Sequence, residues 1–471
     1  MKKSSNGLLT HSLAAYAHGL SFKMLPGEVV HEVKRRVLDS LGCAYGAMSA
    51  PPCRMARRMA EAVPVPKGAV VWGTAFRTTP ELATFANGAL VRYLDCNDTY
   101  LSKEPAHPSD NIPACLAVGE MCHASGRNVI LAIAIAYEVQ CRLCDAAALR
   151  PLGWDHVTYG AFSTSVATAK LLKLSPDATA QAISIAGVTS GALRQTRVGE
   201  VSSWKACAFA NAARNGVFAT LAARCGITGP LDVFEGEKGF MRVISGPLSL
   251  PMLGGNGGTP FKISDTYIKP YPVEYHAQSA VEAAMEIRQR ILAAEGSGGI
   301  SQVKDIVVES FDVAIEIIGR DPEKWRPKTR ETADHSLPYC VAVALSDGRV
   351  TPHSFSSKRL TDSSLRALVE KVKVVEDPDF TKRYPEDMSN RVRVTTLQGK
   401  EYVAQVDHPL GHPKRPMSDS EVENKFHRYA DRKIGAYQAN RLIERVWELE
   451  KISDMAAIIR MFPVATKLRV A

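Results

Sequence analysis

The chain is 471 residues long, carries 58 Lys and Arg against 49 Asp and Glu, and has a formal charge of +9 at pH 7. Its apolar share of 45% and charged share of 23% are those of ordinary globular protein, which excludes disorder, collagen and coiled coil, and the length suggests about two or three domains. The longest apolar run, 129–137, lies between Asn128 and Glu138, far short of the roughly 20 residues a membrane helix needs.

At the N-terminus Lys2 and Lys3 precede Leu8 and Leu9 in imitation of a signal peptide, but Thr10, His11 and Ser12 interrupt the apolar stretch, so a cytoplasmic protein is expected. From Val30 onward Val33, Val37, Leu38 and Leu41 follow a 3.6-residue period and predict an amphipathic helix ending near Gly42 or at 45–47. Thr79-Pro80-Glu81 is a helix start, a hydroxyl cap followed by proline at the first helical position, and the helix runs to about Leu94. A helix is predicted over 128–150, and Ser175-Pro176-Asp177 repeats the start signal for another over 178–190. The stretches 161–172 and 206–223 are rich in Ala, Ser and Gly, which lets helices approach closely. The run Gly254-Gly255-Asn256-Gly257-Gly258 is read as a loop and a boundary. Beyond it a helix over 276–292, a β-like run over 303–311, a helix over 363–370, a strand over 372–375 and a hairpin over 391–397 and 401–406 predict an α+β domain. After Pro416 the chain turns helical again, with Ser418 as cap and Val422, Phe426, Ile434, Leu442 and Val446 in helical spacing, and this tail is expected to return to the first domain.

Ten cysteines are too sparse for a disulfide scaffold, and Cys141 and Cys144, the one C-x-x-C, fall inside a predicted helix with no second pair at zinc or cluster spacing. Reduced core thiols are expected. The densest positive runs, Lys34-Arg35-Arg36 and Lys414-Arg415, are short, and aromatics are only 7% of the chain. Nucleic acid is therefore a poor partner, and a small anionic metabolite a better one.

Polar groups concentrate in four places. The Thr79-capped helix delivers Asp95, Asn97, Asp98 and Thr99 to its C-terminal end, followed by His107, Ser109 and Asp110; carboxylates at that end face the negative pole of the helix dipole, so either a functional reason or plain turn and cap chemistry must explain them. Asp155-His156 is either a tuned acid–base pair or a helix cap. Lys205, after Arg194 and Arg197, leads into an almost uncharged Ala-rich helix, where a cation is disfavoured unless an anion is bound beside it. Tyr267, Lys269, Tyr271, Glu274 and His276, and then Asp334-His335-Ser336 with Tyr339, stand before helices, where caps are expected in any case.

Taken together, the strings LDCNDTYLSKEPAHPSDN, WDHVTYGA, LRQTRVGEVSSWKACAFANAARNGVFA, GITGPLDVFEGEKGF, IKPYPVEYHAQSA, ETADHSLPYCVAVAL and GHPKRPMS resemble the MmgE/PrpD family, in family order from about residue 90 to residue 418. The resemblance implies a mainly α fold: a large all-helical domain over 1–265 rejoined by 413–471, a smaller α+β lid domain over 266–412, and a homodimer. It implies a hydro-lyase that dehydrates 2-methylcitrate, and citrate with it, to the cis-aconitate type of alkene by metal-independent acid–base catalysis, without a cofactor and unlike an iron–sulfur aconitase. The implied catalytic residues are Asp95, Thr99, His107, His156, Lys205 and Tyr339, with Arg197, Lys269 and His276 binding a tricarboxylate and no metal ligand. Within that set His107, oriented by Asp95, is expected to move the proton, with His156 or Tyr339 as its counterpart. The spacer Leu101-Ser102-Lys103-Glu104-Pro105-Ala106 is of the longer, dehydratase-like kind. The competing readings are a cis-aconitate decarboxylase, an iminodisuccinate epimerase, and a nonenzymatic tricarboxylate-binding protein.

Overall fold

In the computed structural model, which describes residues 7–461, small residues decide where helices touch. Nine helices lead the chain: α1 Leu9–Gly19, α2 Gly27–Ala47, α3 Pro51–Glu61, α4 Pro80–Tyr93, α5 Ile112–Met121, α6 Gly126–Ala146, α7 Thr158–Leu171, α8 Pro176–Thr189 and α9 Ala208–Arg224. The longer connections are 62–79, 94–111 and 190–207, and in the first of them Ala69–Val70 pairs antiparallel with Arg77–Thr78, so this part is not purely helical, contrary to expectation. The Ala-, Ser- and Gly-rich α7 lies against α6, α8 and α9, and α4 packs on α9. Helix α2 runs past Gly42 to Ala47, the later of its two expected ends. A Cβ on Gly42 would stand 3.2 Å from the Cα of Phe426, so glycine there admits α12, Asp419–Ile434, to close approach. Lysines 2 and 3 lie outside the described residues, as do 462–471 of the expected helical tail.

The caps form as their chemistry requires. Thr79 accepts from the Leu82 N–H, Ser175 from that of Ala178, and Ser418 forms a capping box with Glu421. The helix predicted over 128–150 ends earlier, at Ala146, because residues 150–152 form a separate 3-10 turn that carries the chain toward His156.

Beyond residue 265 come α10 Gln278–Glu295, β1 Val303–Ser310, α11 Leu337–Asp347, β2 Val372–Glu376, β3 Asn390–Thr396 and β4 Glu401–Val406, before α12 and α13, Ala436–Trp447. The strands make a four-stranded sheet in the order β2-β1-β3-β4. Strands β1 and β2 are parallel and the other pairings antiparallel. Val392 and Val394 sit opposite Val308 and Ile306, so the valine alternation buries one face, which α10 covers with α11 beside it. The fold is thus mainly α with a small α+β part.

Two large hydrophobic cores result, with a smaller cluster of Leu101, Tyr267, Tyr275, Phe311, Phe380 and Met388 between them. One takes residues from Leu13 to Ile268 and again from Met417 to Ile459; the other runs from Val273 to Ala404. The changeover falls past the Gly254–Gly258 turn, between Ile268 and Val273. The basic run on α2 holds the returning segment, Lys34 meeting Glu450 at 2.5 Å and Arg35 meeting Asp419 at 2.9 Å, while Arg36 pairs with Glu32 of the same helix at 2.7 Å. These cations are spent on folding. Thr99 and Tyr267 exchange backbone hydrogen bonds of 2.9 and 2.8 Å just ahead of the changeover, and Arg330 ties the halves by donating to the Tyr93 carbonyl at 2.7 Å. All ten cysteines are unpaired thiols, and no helix among the described residues is long and apolar enough to cross a membrane.

Candidate active site

Where α4 ends, Asp95 adopts a left-handed backbone, φ 52°, a region that Asp tolerates better than most residues. Its carboxylate lies in the cleft between the two cores. Arg92, one turn earlier on the same helix face, reaches Oδ1 at 3.0 Å; Lys269 Nζ reaches Oδ1 at 2.5 Å; Lys205 Nζ reaches Oδ2 at 2.8 Å. Burial alone would raise the Asp95 pKa, yet Arg92, Lys205 and Lys269 together hold it well below the usual carboxylate value. A carboxylate at the negative end of a helix is therefore compensated by three cations.

The same contacts reassign two predicted cations. Lys205 needs no foreign anion, because Asp95 and, at 3.4 Å, Asp334 supply negative charge. Lys269 is fully buried, and its three donors go to Asp95 Oδ1, the Asp95 carbonyl at 2.8 Å and the Val273 carbonyl at 3.4 Å. An ammonium has only three N–H groups. Lys269 therefore fixes Asp95 and has none left for a ligand.

The space between the lining side chains, open solvent included, is about 780 Å³. Seven Lys and Arg side chains line it against two carboxylates, Asp95 and Glu274, together with four histidines. Eight of the nine residues picked out by sequence line it: Asp95, Thr99, His107, His156, Arg197, Lys205, Lys269 and His276. Tyr339 does not. It belongs to the second core and donates its hydroxyl to the Ser354 carbonyl at 2.8 Å, so it corrects the expectation of a catalytic phenol.

The imidazoles are held differently from one another. His107 Nδ1 donates to the Asp98 carbonyl at 2.7 Å, with Thr99 Oγ1 at 3.3 Å, and Nε2 accepts from Arg92 at 3.0 Å. Asp98 and Arg92, and not Asp95, orient it, and both ring nitrogens are engaged. His156 Nδ1 lies 3.0 Å from Asp155 Oδ1, and Asp155 Oδ2 accepts from Arg197 Nε at 2.9 Å. Its Nε2 is buried without a hydrogen-bond partner. Asp155 thus fixes the tautomer that leaves the Nε2 lone pair free. Burial and then Arg197 push the His156 pKa down to about 4, outweighing Asp155. His276 is held by Glu274, which accepts at 2.7 Å from Nδ1, while Nε2 faces the Tyr384 hydroxyl at 3.4 Å. Burial opposes ionisation of Glu274, but His276, His335 and Lys269 lower its pKa to about 2.

Sequence reasoning missed Arg92, Arg150 and Lys324 as lining residues, and left Arg194, Glu274 and His335 without a role. Arg92 carried a signal, three residues before Asp95 on a helix. Lys324 carried none, lying in a charged stretch that resembles a solvated surface. The guanidinium groups of Arg150 and Arg194 have no side-chain partner among the described residues. Asp95, Asp334 and His335 bring ligand-type atoms within 4.8 Å of one another. Lys205 Nζ stands among these atoms, 3.0 Å from His335 Nδ1 and 2.8 Å from Asp95 Oδ2.

A helical body and an α+β part that meet over a cleft of guanidinium, ammonium and imidazole groups define a protein that handles small polyanions. The MmgE/PrpD N-terminal domain matches residues 11–251 and the MmgE/PrpD C-terminal domain matches residues 271–449, so the chain belongs to the MmgE/PrpD family. It is similar to 2-methylcitrate dehydratase of Cupriavidus necator, 30% identical with 84% of each chain covered, and to 2-methylcitrate dehydratase of Escherichia coli K12, 30% identical with 89% of each covered. It is also 26% identical to cis-aconitate decarboxylase of Mus musculus, over 96% of this chain and 93% of that one.

Proposed function

We propose that this chain is a hydro-lyase that dehydrates 2-methylcitrate, with citrate as a second substrate, by acid–base catalysis without a metal. One observation carries the reading: the His156 Nε2 is buried, neutral and without a hydrogen-bond partner among the described residues, in a cleft also lined by Arg150 and Arg194, whose guanidinium groups make no ion pair among those residues. The names of the Cupriavidus and Escherichia relatives support the choice of reaction.

Dehydration takes a proton from a carbon next to a carboxylate and expels hydroxide from the neighbouring carbon as water. His156 takes the proton on Nε2, and the imidazolium that forms is stabilised by Asp155. His276 hands a proton to the departing hydroxyl from Nε2. Arg150, Arg194 and the outer N–H groups of Arg197 hold substrate carboxylates, for which guanidinium forks are well shaped. The guanidinium forks face the carboxylate on which charge builds, while Lys205, engaged by Asp95, Asp334 and His335, holds Asp95 in place. A preorganised donor of this kind is worth about 100- to 1,000-fold in rate, and a positioned acid or base about 100- to 10,000-fold.

We further infer a helical body over 1–265 rejoined by 413–471, a lid over 266–412 and a homodimer in the cytoplasm. The two separate cores and the unpaired thiols support this arrangement.

The test is incubation of purified protein with each methylcitrate stereoisomer, citrate and cis-aconitate, with products identified by mass. Loss of one water from a methylcitrate stereoisomer, undiminished by chelators, is expected. Carbon dioxide release from cis-aconitate without dehydration would replace the reading by decarboxylation.

A further inference from the structure

Three lysines line the cleft, and two of them are fully engaged by carboxylates of the chain. The third, Lys324, is not. It closes the 3-10 turn Pro322–Lys324, is only 7% exposed, and its Nζ makes neither a hydrogen bond nor an ion pair among the described residues. Its backbone is pinned on both sides: its N–H donates to the Asp321 carbonyl at 2.9 Å, and its carbonyl accepts from Ser336, whose hydroxyl also caps α11. The main chain is thus held while the ammonium faces the cleft without an ion pair among the described residues.

An unpaired ammonium in such a place is expensive to desolvate, and a fold keeps it where something else supplies the anion. We propose that Lys324 holds one carboxylate of a bound tricarboxylate from the lid side, opposite the guanidinium groups of Arg150 and Arg194 on the body. This rests on the reading of the cleft as a tricarboxylate site and adds the residue by which the lid engages the ligand. The charged groups facing Lys324 are Asp321 on its own turn, Glu274 ahead of α10, Asp334 ahead of α11, and Lys205 from the body. Burial and the like charge of Lys205 lower its pKa, against the opposite pull of the three carboxylates. Anion binding needs the protonated amine, so affinity falls as pH rises through that lowered value.

The experiment is calorimetric titration of the full-length protein with propane-1,2,3-tricarboxylate, which binds without being dehydrated, between about pH 7 and pH 10. The variants are Lys324→Met and Lys324→Arg. Lys324→Met is expected to weaken binding about 10- to 100-fold, the range of a hydrogen bond to a charged group. Its alkaline loss of affinity should vanish, and its ligand-free melting temperature should be equal to or above that of the wild type, because no hydrogen bond or ion pair of the ammonium is lost. Lys324→Arg should bind within a few-fold of wild type and keep its affinity to higher pH. Binding by Lys324→Met within twofold of wild type, an unchanged alkaline limb, or a ligand-free protein that is destabilised or fails to fold would each overturn the proposal. The probe requires no turnover. Lys324-dependent binding without methylcitrate dehydration would refute the proposed reaction and leave this inference standing.

Discussion

Asp95→Asn removes the charge from the carboxylate on which Arg92, Lys205 and Lys269 converge while keeping its shape. The three cations do not lose equally. Arg92 keeps Asp110 Oδ2 at 3.7 Å and Lys205 keeps Asp334 Oδ1 at 3.4 Å, whereas Lys269, fully buried, has no other carboxylate. The substitution therefore strands one buried cation, and the expected loss is about 3–5 kcal/mol, the cost of breaking one buried pair. Burial raises the Asp95 pKa, but its cations depress it far more. A depressed carboxyl contributes stability that is present above its unfolded value near 3.9 and is lost as pH falls through the native one, so the penalty should be constant from about pH 8 to pH 5 and shrink only in stronger acid. The assay is urea denaturation followed by circular dichroism, on wild type, Asp95→Asn, Lys269→Met and the double variant. Removing both partners should recover at least about 2 kcal/mol relative to the sum of the single losses. A penalty for Asp95→Asn below about 1 kcal/mol, or strictly additive losses, would refute the argument that Asp95 is a structural counter-ion.

His156→Gln should lower turnover about 100- to 10,000-fold while leaving propane-1,2,3-tricarboxylate affinity within a few-fold by calorimetry. Because the base must be neutral and its pKa lies near 4, the wild-type rate should hold as pH falls below 6 and drop only on approaching that value. Arg194→Met should raise KM at least about tenfold in steady-state assays and leave the melting temperature unchanged, since the guanidinium has no partner to lose. Tyr339→Phe should change kcat by less than about threefold and cost about 1 kcal/mol in urea denaturation, the worth of its hydrogen bond to Ser354.

The elements that the sequence announced are those governed by local chemistry. Thr79, Ser175 and Ser418 marked helix starts because a hydroxyl that satisfies an orphan N–H acts within three residues. The hairpin of β3 and β4 was visible in its two-residue alternation, but the parallel pairing of β1 with β2 was not, since 61 residues separate the two strands and only tertiary packing joins them. Gly42 could be read as a helix end because nothing local reveals that Phe426 must pass over it. The site divides in the same way. His156 with Asp155 was readable as a pair because the two are adjacent, whereas the partner of Asp95 in the second half of the cleft, Lys269, is far away in sequence. Tyr339 was chosen by its place in a matching string, and only the packing shows that its hydroxyl turns to Ser354 and away from the cleft.

Proton transfer at carbon through His156 is tested most directly in deuterium oxide, by hydrating 2-methyl-cis-aconitate in the reverse direction and locating the label by mass and proton resonance. The wild-type protein should place one deuterium on the carbon beside the newly hydroxylated one, and His156→Gln should do so at least about 100-fold more slowly. Hydrated product without carbon-bound deuterium, or incorporation by His156→Gln at the wild-type rate, would contradict the account.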